Sequence, residues 1–511
     1  MQLFGSLQHK AARHILGIVV GLAYAVGLLV LLFNIQGRVT IESTDAFTYA
    51  DTARQIAHGE GFTTRVIQPE VAAVQMPQTT WPPFFPLLIA VPLFFGVDLG
   101  QALMGTSQVF LALSSGIFAW YVVRRWGLLP AVFWAAFSLT AAPMLHVASQ
   151  PMTEALFMGL SLLVAVATFE LLERREGESG RRGVIVLAVL LGLLLAAVGW
   201  TRYLGFALAP GVFLALLVFR RFTPLVVTVL TFVLTSVPLL FRNFVLHREF
   251  TNERFPTDQS FFLNVRDAIV NLIADGRHHL LWPVILAVGA VAVLAIAIKL
   301  KQPLGERYRQ RELLFGALLG WLGIVYLAGM VVARSFVFFD RLVTRFIVPV
   351  EWLLVAAVSL GAAALIARTR WLAWAVAVVV AAFGIRFVPH LHEPPTEPRL
   401  PISGVNIAWA ASNTESDSLI LSNHAHAYNF FLGRTVVALR AHREPESVNE
   451  LLAWKERWGN TFSNVYLVLQ RKLSGERHTQ FIVDLSFERN IPDALEHLEG
   501  TPTRLEVYRI R

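Results

Sequence analysis

The chain has 511 residues, 55% of them hydrophobic and 15% charged, against the roughly 25% charged residues of an ordinary soluble domain. That balance excludes a soluble enzyme, and the absence of cysteine excludes disulfides, thiolate catalysis and cysteine-ligated metal centres. The net charge of +8 divides into +10 before Pro389 and −2 from Pro389 onward, with the basic residues in short loops between apolar runs, which reads as membrane orientation and not as a nucleic-acid surface.

The first apolar run, 14–34, follows the basic stretch HKAARH and lacks a small-residue cleavage pattern, so it is expected to be a retained anchor with a cytoplasmic N-terminus. Basic clusters at Arg124-Arg125, 173–182, Arg220-Arg221, 299–312 and 368–370 are expected on the cytoplasmic side. Between them lie apolar spans at 102–123, 128–147, 154–172, 183–201, 203–219, 222–241, 280–298, 313–333, 345–366 and 371–388. With the first run they make about eleven crossings. The apolar stretch 84–96 reaches only ~20 Å of a ~30 Å hydrocarbon core, and is read as a re-entrant or interfacial helix.

An odd number of crossings puts everything after 389 outside the cytoplasm. There a Pro-rich linker, PHLHEPPTEPRLP, precedes DSLILSN, RTVVALR, NVYLVLQ, QFIVDLSF and RLEVYRIR, which read as strands, and SVNELLAWKERW, which has helical spacing. The expected architecture is an all-α polytopic membrane domain over 1–388, carrying a first extracytoplasmic loop at 35–83, followed by a small extracytoplasmic α/β domain over 389–511.

The spans are almost free of charge, whereas the expected outer surface is polar, so any chemistry belongs on the outer face. In the first loop, STDAFTYADTARQIAHGEGF forms a helix capped by Thr44 or Ser43 and closed by Gly59, with Asp45, Tyr49, Thr52 and Ile56 on one face. Asp45 there either accepts a proton from an acceptor hydroxyl or merely caps the helix. Glu154, at the start of an apolar helix after Ser149-Gln150-Pro151, is either a surface-facing site carboxylate or a complement to the helix dipole. His146 precedes it, as an interfacial histidine or as a ligand or base. Arg202, between two spans with almost no loop, shares the outer headgroup level with Arg334, Arg341 and Arg345. Such arginines hold a lipid phosphate or snorkel to membrane lipids.

Four segments, in order, carry a family likeness: D-x3-Y-x3-A-x2-I-x2-G-x-G-F from Asp45 to Phe62, WPPFFPLL from Trp81, P-x-T-E-A-L-F from Pro151 and TRYLGFALAP from Thr201. DRLVTRFIVPV from Asp340 adds a looser match. Together they resemble the GT-C superfamily of integral-membrane glycosyltransferases, in particular the bacterial group similar to dolichyl-phosphate-mannose-protein mannosyltransferases and aminoarabinose transferases. The resemblance implies transfer of a sugar from a polyprenyl-phosphate carrier, usually with inversion, at the outer face of the bacterial cytoplasmic (inner) membrane. It implies that Asp45 is the catalytic first-loop acid and Glu154 a second site carboxylate. Tyr49, His58, Trp81, His146, Arg202, Tyr203, Arg341 and Arg345 are the residues expected to contact substrate. Two departures stand out: Asp45 is flanked by Thr44 and Ala46 rather than by a second acid, and Trp81 replaces the basic residue that precedes the paired prolines in aminoarabinose transferases.

The expectation is therefore a hexosyl or pentosyl transferase, with a lipid, glycan or protein as acceptor. A divalent metal shared by Asp45 and Glu154 is conceivable, but no ligand spacing in the sequence supports one, and cofactors stay unassigned. Two rivals remain: a lipid or small-molecule transporter, and a noncatalytic assembly protein of the same fold.

Overall fold

The computed structural model describes residues 2–36, 44–71, 73–174, 180–248, 250–251, 257, 259–277, 309–337, 344–366, 404–439, 444–459, 461–470, 480–486, 491–502 and 505–511. The chain forms two compact units, one of residues 1–39, 79–85 and 104–394, the other of 40–78, 86–103 and 395–511.

The first unit is helical. Its chain runs through α1 (Gln2–Gln36), then, past α2 (Thr44–Ala57) and α3 (Phe84–Phe94), through α4 (Leu99–Trp126), α5 (Leu128–Leu139), α6 (Ala142–Ser149), α7 (Thr153–Glu173) and α8 (Gly180–Thr201). A 3-10 turn (Tyr203–Ala207) leads into α9 (Leu208–Val218), α10 (Phe222–His247), α11 (Phe261–Arg277), α12 (Arg309–Phe336) and α13 (Thr344–Ile366). Runs of Leu, Val and Ala become helices here because a helix satisfies its own backbone in hydrocarbon. Among the described residues seven helices, α1, α4, α7, α8, α10, α12 and α13, are long and apolar enough to cross a membrane. α7 and α13 are buried along most of that length, while α10 is largely exposed.

Two expected spans are broken. The stretch 128–147 is split between α5 and α6 by non-helical backbone at Ala141 (φ −80°, ψ 72°). Pro143 sits in the first turn of α6, where its missing N–H is not needed, and could not supply the N–H that an unbroken helix would donate four residues back. The stretch 203–219 begins as the 3-10 turn and becomes α-helical only from Leu208. The segment 242–279, read from sequence as an outer connection, contains a helix, α11, that was not expected. The expected spans 280–298 and 371–388, the basic clusters 299–308 and 368–370, and the Pro-rich linker lie outside the described residues.

The second unit is built on a six-stranded sheet in the order β2-β5-β4-β6-β8-β7, from β2 (Val66–Ile67), β4 (Leu419–Ser422), β5 (Val436–Ala438), β6 (Val465–Gln470), β7 (Leu495–His497) and β8 (Leu505–Ile510). The first four strands in that order are parallel, and β8 runs antiparallel to both its neighbours, β6 and β7. Side chains alternate across it. Ile420, Val436, Tyr466 and Val468 pack on one face with α2, α14 (Gly404–Asn413) and α15 (Ala425–Leu432). Leu419, Leu421, Val437 and Leu467 pack on the other with α16 (Val448–Trp458) and α17 (Gln480–Ser486). Since α15 leaves β4 on one face and α16 leaves β5 on the other, the sheet is doubly wound.

Residues 480–487, read from sequence as a strand, contain α17 instead. In so short an apolar run both periods fit; burial of Ile482 and Leu485, three residues apart, decides for the helix. The compact units also divide the chain differently from a boundary at 388. The first loop supplies α2 and the edge strand β2, which pairs Val66 with Val436 and Ile67 with Val437. It also supplies a small hairpin of β1 (Thr63–Thr64) and β3 (Met76–Pro77). Thr435 donates to the Val74 carbonyl (2.8 Å) and the Trp458 indole to that of Val71 (3.1 Å), so the loop is stitched into the sheet domain along its length.

Candidate functional site

In the membrane unit the sequence-predicted residues Glu154, Arg202 and Arg345 come together. Glu154 sits in the first turn of α7 with its side chain 1% exposed; the Arg202 Nη1 lies 2.6 Å and the Arg345 Nε 3.8 Å from its Oε1. Both guanidinium groups also face the ring of Phe346, with Cζ at 5.2 Å and 4.8 Å from its centroid. Two cations converging on one carboxylate and one aromatic face leave an excess of positive charge at the end of a membrane-length helix, an arrangement with the chemistry to hold a further anion.

Local backbone explains where Arg202 stands. It is extended (φ −148°, ψ 130°) between α8 and the 3-10 turn. A Cβ on Gly199 would come within 2.1 Å of the Phe206 ring, and one on Gly205 within 2.4 Å of the Val198 carbonyl. Only glycine lets the turn fold back this tightly on α8. Beside it Tyr203 donates to the Thr79 carbonyl (2.9 Å) and accepts from Asn243 (2.9 Å). The turn before Glu154 is held by Gln108, which donates to the Ser149 carbonyl (2.9 Å).

In the sheet unit, Asp45 lies in the first turn of α2, half-buried, and Tyr49 is buried one turn on. The helix is anchored by Asp51. Fully buried, it accepts from Thr64 Oγ1 (2.7 Å), the Arg65 amide (2.7 Å) and Gln55 (3.2 Å). α2 runs parallel to α15, for Thr48 meets His426 near the two starts (3.1 Å) and Arg54 donates to the carbonyls of Asn429 (3.4 Å) and Phe430 (3.2 Å) near the two ends. Burial lowers the Arg54 guanidinium from its ordinary value, opposed by Asp51. Arg65 adds a bond to the Gly433 carbonyl (3.1 Å), so two cations complement the carboxyl end of α15. Because α15 starts where β4 ends, the first turn of α2 stands at the carboxyl edge of the parallel strands, the edge at which such sheets bind ligands.

The remaining predicted residues are placed less closely. His146 is exposed on α6, its carbonyl accepting from Ser149 Oγ (2.7 Å). His58 is exposed just beyond α2, and Trp81 is half-buried ahead of the buried Pro82-Pro83 pair. Arg341 lies outside the described residues. Arg334 is committed to structure: its side chain donates to Asn264 (3.0 Å) and Gln259 (2.9 Å), tying α12 to the α11 segment. Sequence reasoning missed Phe346, Asn243, Gln108, Asp51 and His426; Asp51 takes its partners from its own helix and the loop just after it, whereas the other four meet partners remote in sequence. Among the described residues no three His, Asp or Glu side chains group as a metal site.

The described residues thus comprise a bundle of membrane-length helices with a charged cluster at one helix end, and a doubly wound sheet domain that incorporates the first loop. Among solved structures the chain is similar to ArnT from Cupriavidus metallidurans in the apo state, with 18% identity, 96% of this chain and 97% of that one covered, and a TM-score of 0.64. The same protein bound to undecaprenyl phosphate matches with 16% identity, the same coverage and a TM-score of 0.60. The archaeal oligosaccharyltransferase AglB from Archaeoglobus fulgidus, in complex with an inhibitory peptide and a dolichol-phosphate, matches with 10% identity over 88% of this chain and 69% of that one, with a TM-score of 0.53. No protein-family model and no curated protein matches the sequence. The chain thus has the GT-C fold from end to end, as the sequence resemblance implied.

Proposed function

We propose that the protein is a glycosyltransferase that takes a hexose or pentose from a polyprenyl-phosphate carrier at the outer face of a bacterial cytoplasmic membrane and passes it to a lipid, glycan or protein hydroxyl. The observation that carries this is the match over 96% of the chain to a structure bound to undecaprenyl phosphate. Arg202 and Arg345 supply the chemistry a phosphate leaving group needs, and Glu154 holds the Arg202 fork in place. Arg341 is assigned the same duty as these arginines. Asp45 is the base. The acceptor oxygen attacks the anomeric carbon, its proton passes to the Asp45 carboxylate, and the bond from that carbon to the phosphate oxygen breaks, releasing the carrier phosphate and inverting the anomeric carbon of the transferred sugar.

The test uses the purified full chain in liposomes with undecaprenyl-phosphate-linked hexose and pentose donors and a cell-envelope extract as acceptor, reading release of undecaprenyl phosphate by mass spectrometry. Release with one donor is expected, and no release from any donor overturns the reading. Asp45→Asn keeps the capping ability of the side chain but not its basicity. It should lower turnover by about 10²- to 10⁴-fold while undecaprenyl phosphate still binds. Wild-type turnover in Asp45→Asn removes Asp45 from the chemistry.

A further inference from the structure

The hydrogen bonds around the first turn of α2 have a defined direction. Thr48 Oγ1 donates its one proton to the Thr44 carbonyl at 2.8 Å. In its 3.1 Å contact with His426 Nδ1 the hydroxyl oxygen is therefore the acceptor, and His426 carries its proton on Nδ1. The result is a chain from His426 Nδ1–H through Thr48 Oγ1–H to the carbonyl of Thr44, the residue before Asp45. Hydrogen bonds arranged in series polarise and strengthen one another. The turn that bears Asp45 is thus held from a residue 378 positions away, in the first turn of α15 at the carboxyl edge of the sheet. Thr48 is one of the unspecified positions of the D-x3-Y segment, and His426 lies outside the segments that carry the family likeness.

We propose that His426 is a positioning residue for sugar transfer: by donating to Thr48 it locks the first turn of α2 and so aims the Asp45 carboxylate at the acceptor hydroxyl. This rests on Asp45 being the base. The sheet domain would then be part of the catalytic apparatus and not an accessory to it. Misplacing a reacting group by about 1 Å costs up to ~10²-fold in rate, which sets the size of effect to look for.

The experiment measures kcat and KM for the undecaprenyl-phosphate-linked donor that the wild type consumes, with a thermal melt of each variant. His426→Ala removes the donor, Thr48→Val removes the acceptor, and His426→Asn places an amide N–H near the lost Nδ1–H. His426→Ala and Thr48→Val should each lower kcat by about 10- to 100-fold with KM unchanged. The double variant should be no worse than either single one, and His426→Asn should recover most of the rate. Should either single variant fail to fold, the remaining one against His426→Asn still carries the comparison. Wild-type kcat in His426→Ala overturns the proposal, as does a loss that follows the melting temperature and is not recovered by Asn. Asp45→Asn is assayed alongside. If it is inactive while His426→Ala is normal, only the positioning role fails; if it turns over normally, the base assignment fails and takes the proposed route with it.

Discussion

At the Glu154 side chain, 1% exposed, the nearest charge is the Arg202 fork at 2.6 Å. Removing one member of so buried a pair leaves the other uncompensated, at a cost of about 3–5 kcal/mol. Arg202→Ala and Glu154→Gln should therefore both lower the melting temperature sharply. Arg345 stands farther off, at 3.8 Å with its side chain 26% exposed, where solvent screening leaves a pair worth under about 1 kcal/mol. Arg345→Ala should melt near wild type yet lose roughly 10- to 150-fold in affinity for undecaprenyl phosphate, the worth of one charge-assisted contact. Unchanged binding would make Arg345 an ordinary headgroup anchor. In the sheet domain, the Tyr466 hydrogen bond holds Glu415 below its ordinary 4.5, while burial and then that same bond push Tyr466 up to about 12 from 10.0. A lowered carboxylate adds stability above 4.5 that disappears as the pH falls through its folded value; a raised phenol adds stability below 10.0 that disappears as the pH rises toward 12. Melts of Tyr466→Phe across both limits should show a flatter pH profile than wild type, and an unchanged profile would count against this pair.

Helices α1 and α4 meet through glycine. A Cβ on Gly21 would come within 2.7 Å of the Gly116 carbonyl, and one on Gly116 within 2.6 Å of that of Gly21, so the two backbones touch as small-residue membrane interfaces do. Gly21→Val should force the helices apart at a cost of about 1–3 kcal/mol, read as a lower melting temperature. Gly27→Val on the same helix, where a Cβ meets nothing within 4 Å, should be silent. Equal effects at the two sites would show that α1 does not pack here. At the other end of α15, Gly433 at φ +68° closes the helix in left-handed geometry, its amide bonded to the Asn429 carbonyl (2.8 Å), and Arg54 and Arg65 cover the carbonyls beyond. Both termini of this short helix are therefore tied to the first loop.

Across the whole molecule, the pairing of β2 with β5 constrains how the chain threads the membrane. Strands hydrogen-bonded in one sheet lie on one side of a bilayer, so between Ile67 and Val436 the chain must cross an even number of times. The ten spans expected after the first apolar run satisfy that parity, which leaves the side open; it is the cytoplasmic N-terminus expected from the basic stretch before the first run that would put the sheet domain outside. The absence of cysteine makes the test clean. Glu70→Cys and Asp417→Cys, both at exposed positions, should react with a membrane-impermeant maleimide added from outside. Labelling of one but not the other would break the sheet pairing, and labelling of both only after lysis would reverse the topology.

Sequence alone determined the membrane class, most of the long helices and the ordered motifs of the GT-C likeness, because burying an apolar run in lipid is a local property of some twenty residues. It also marked Glu154, Arg202 and Arg345 as candidates, since charges beside apolar spans are conspicuous. It missed the break at Pro143 inside a uniformly apolar run and misread 480–487, where seven or eight residues cannot separate a period of two from one of 3.6. What only the tertiary structure decided is partnership: that Glu154 meets Arg202, that β2 completes a sheet whose other strands lie more than 350 residues away, and that His426 reaches Thr48. Each depends on chain closure over long distances, and no local pattern of charge or hydrophobicity records which remote residue will arrive.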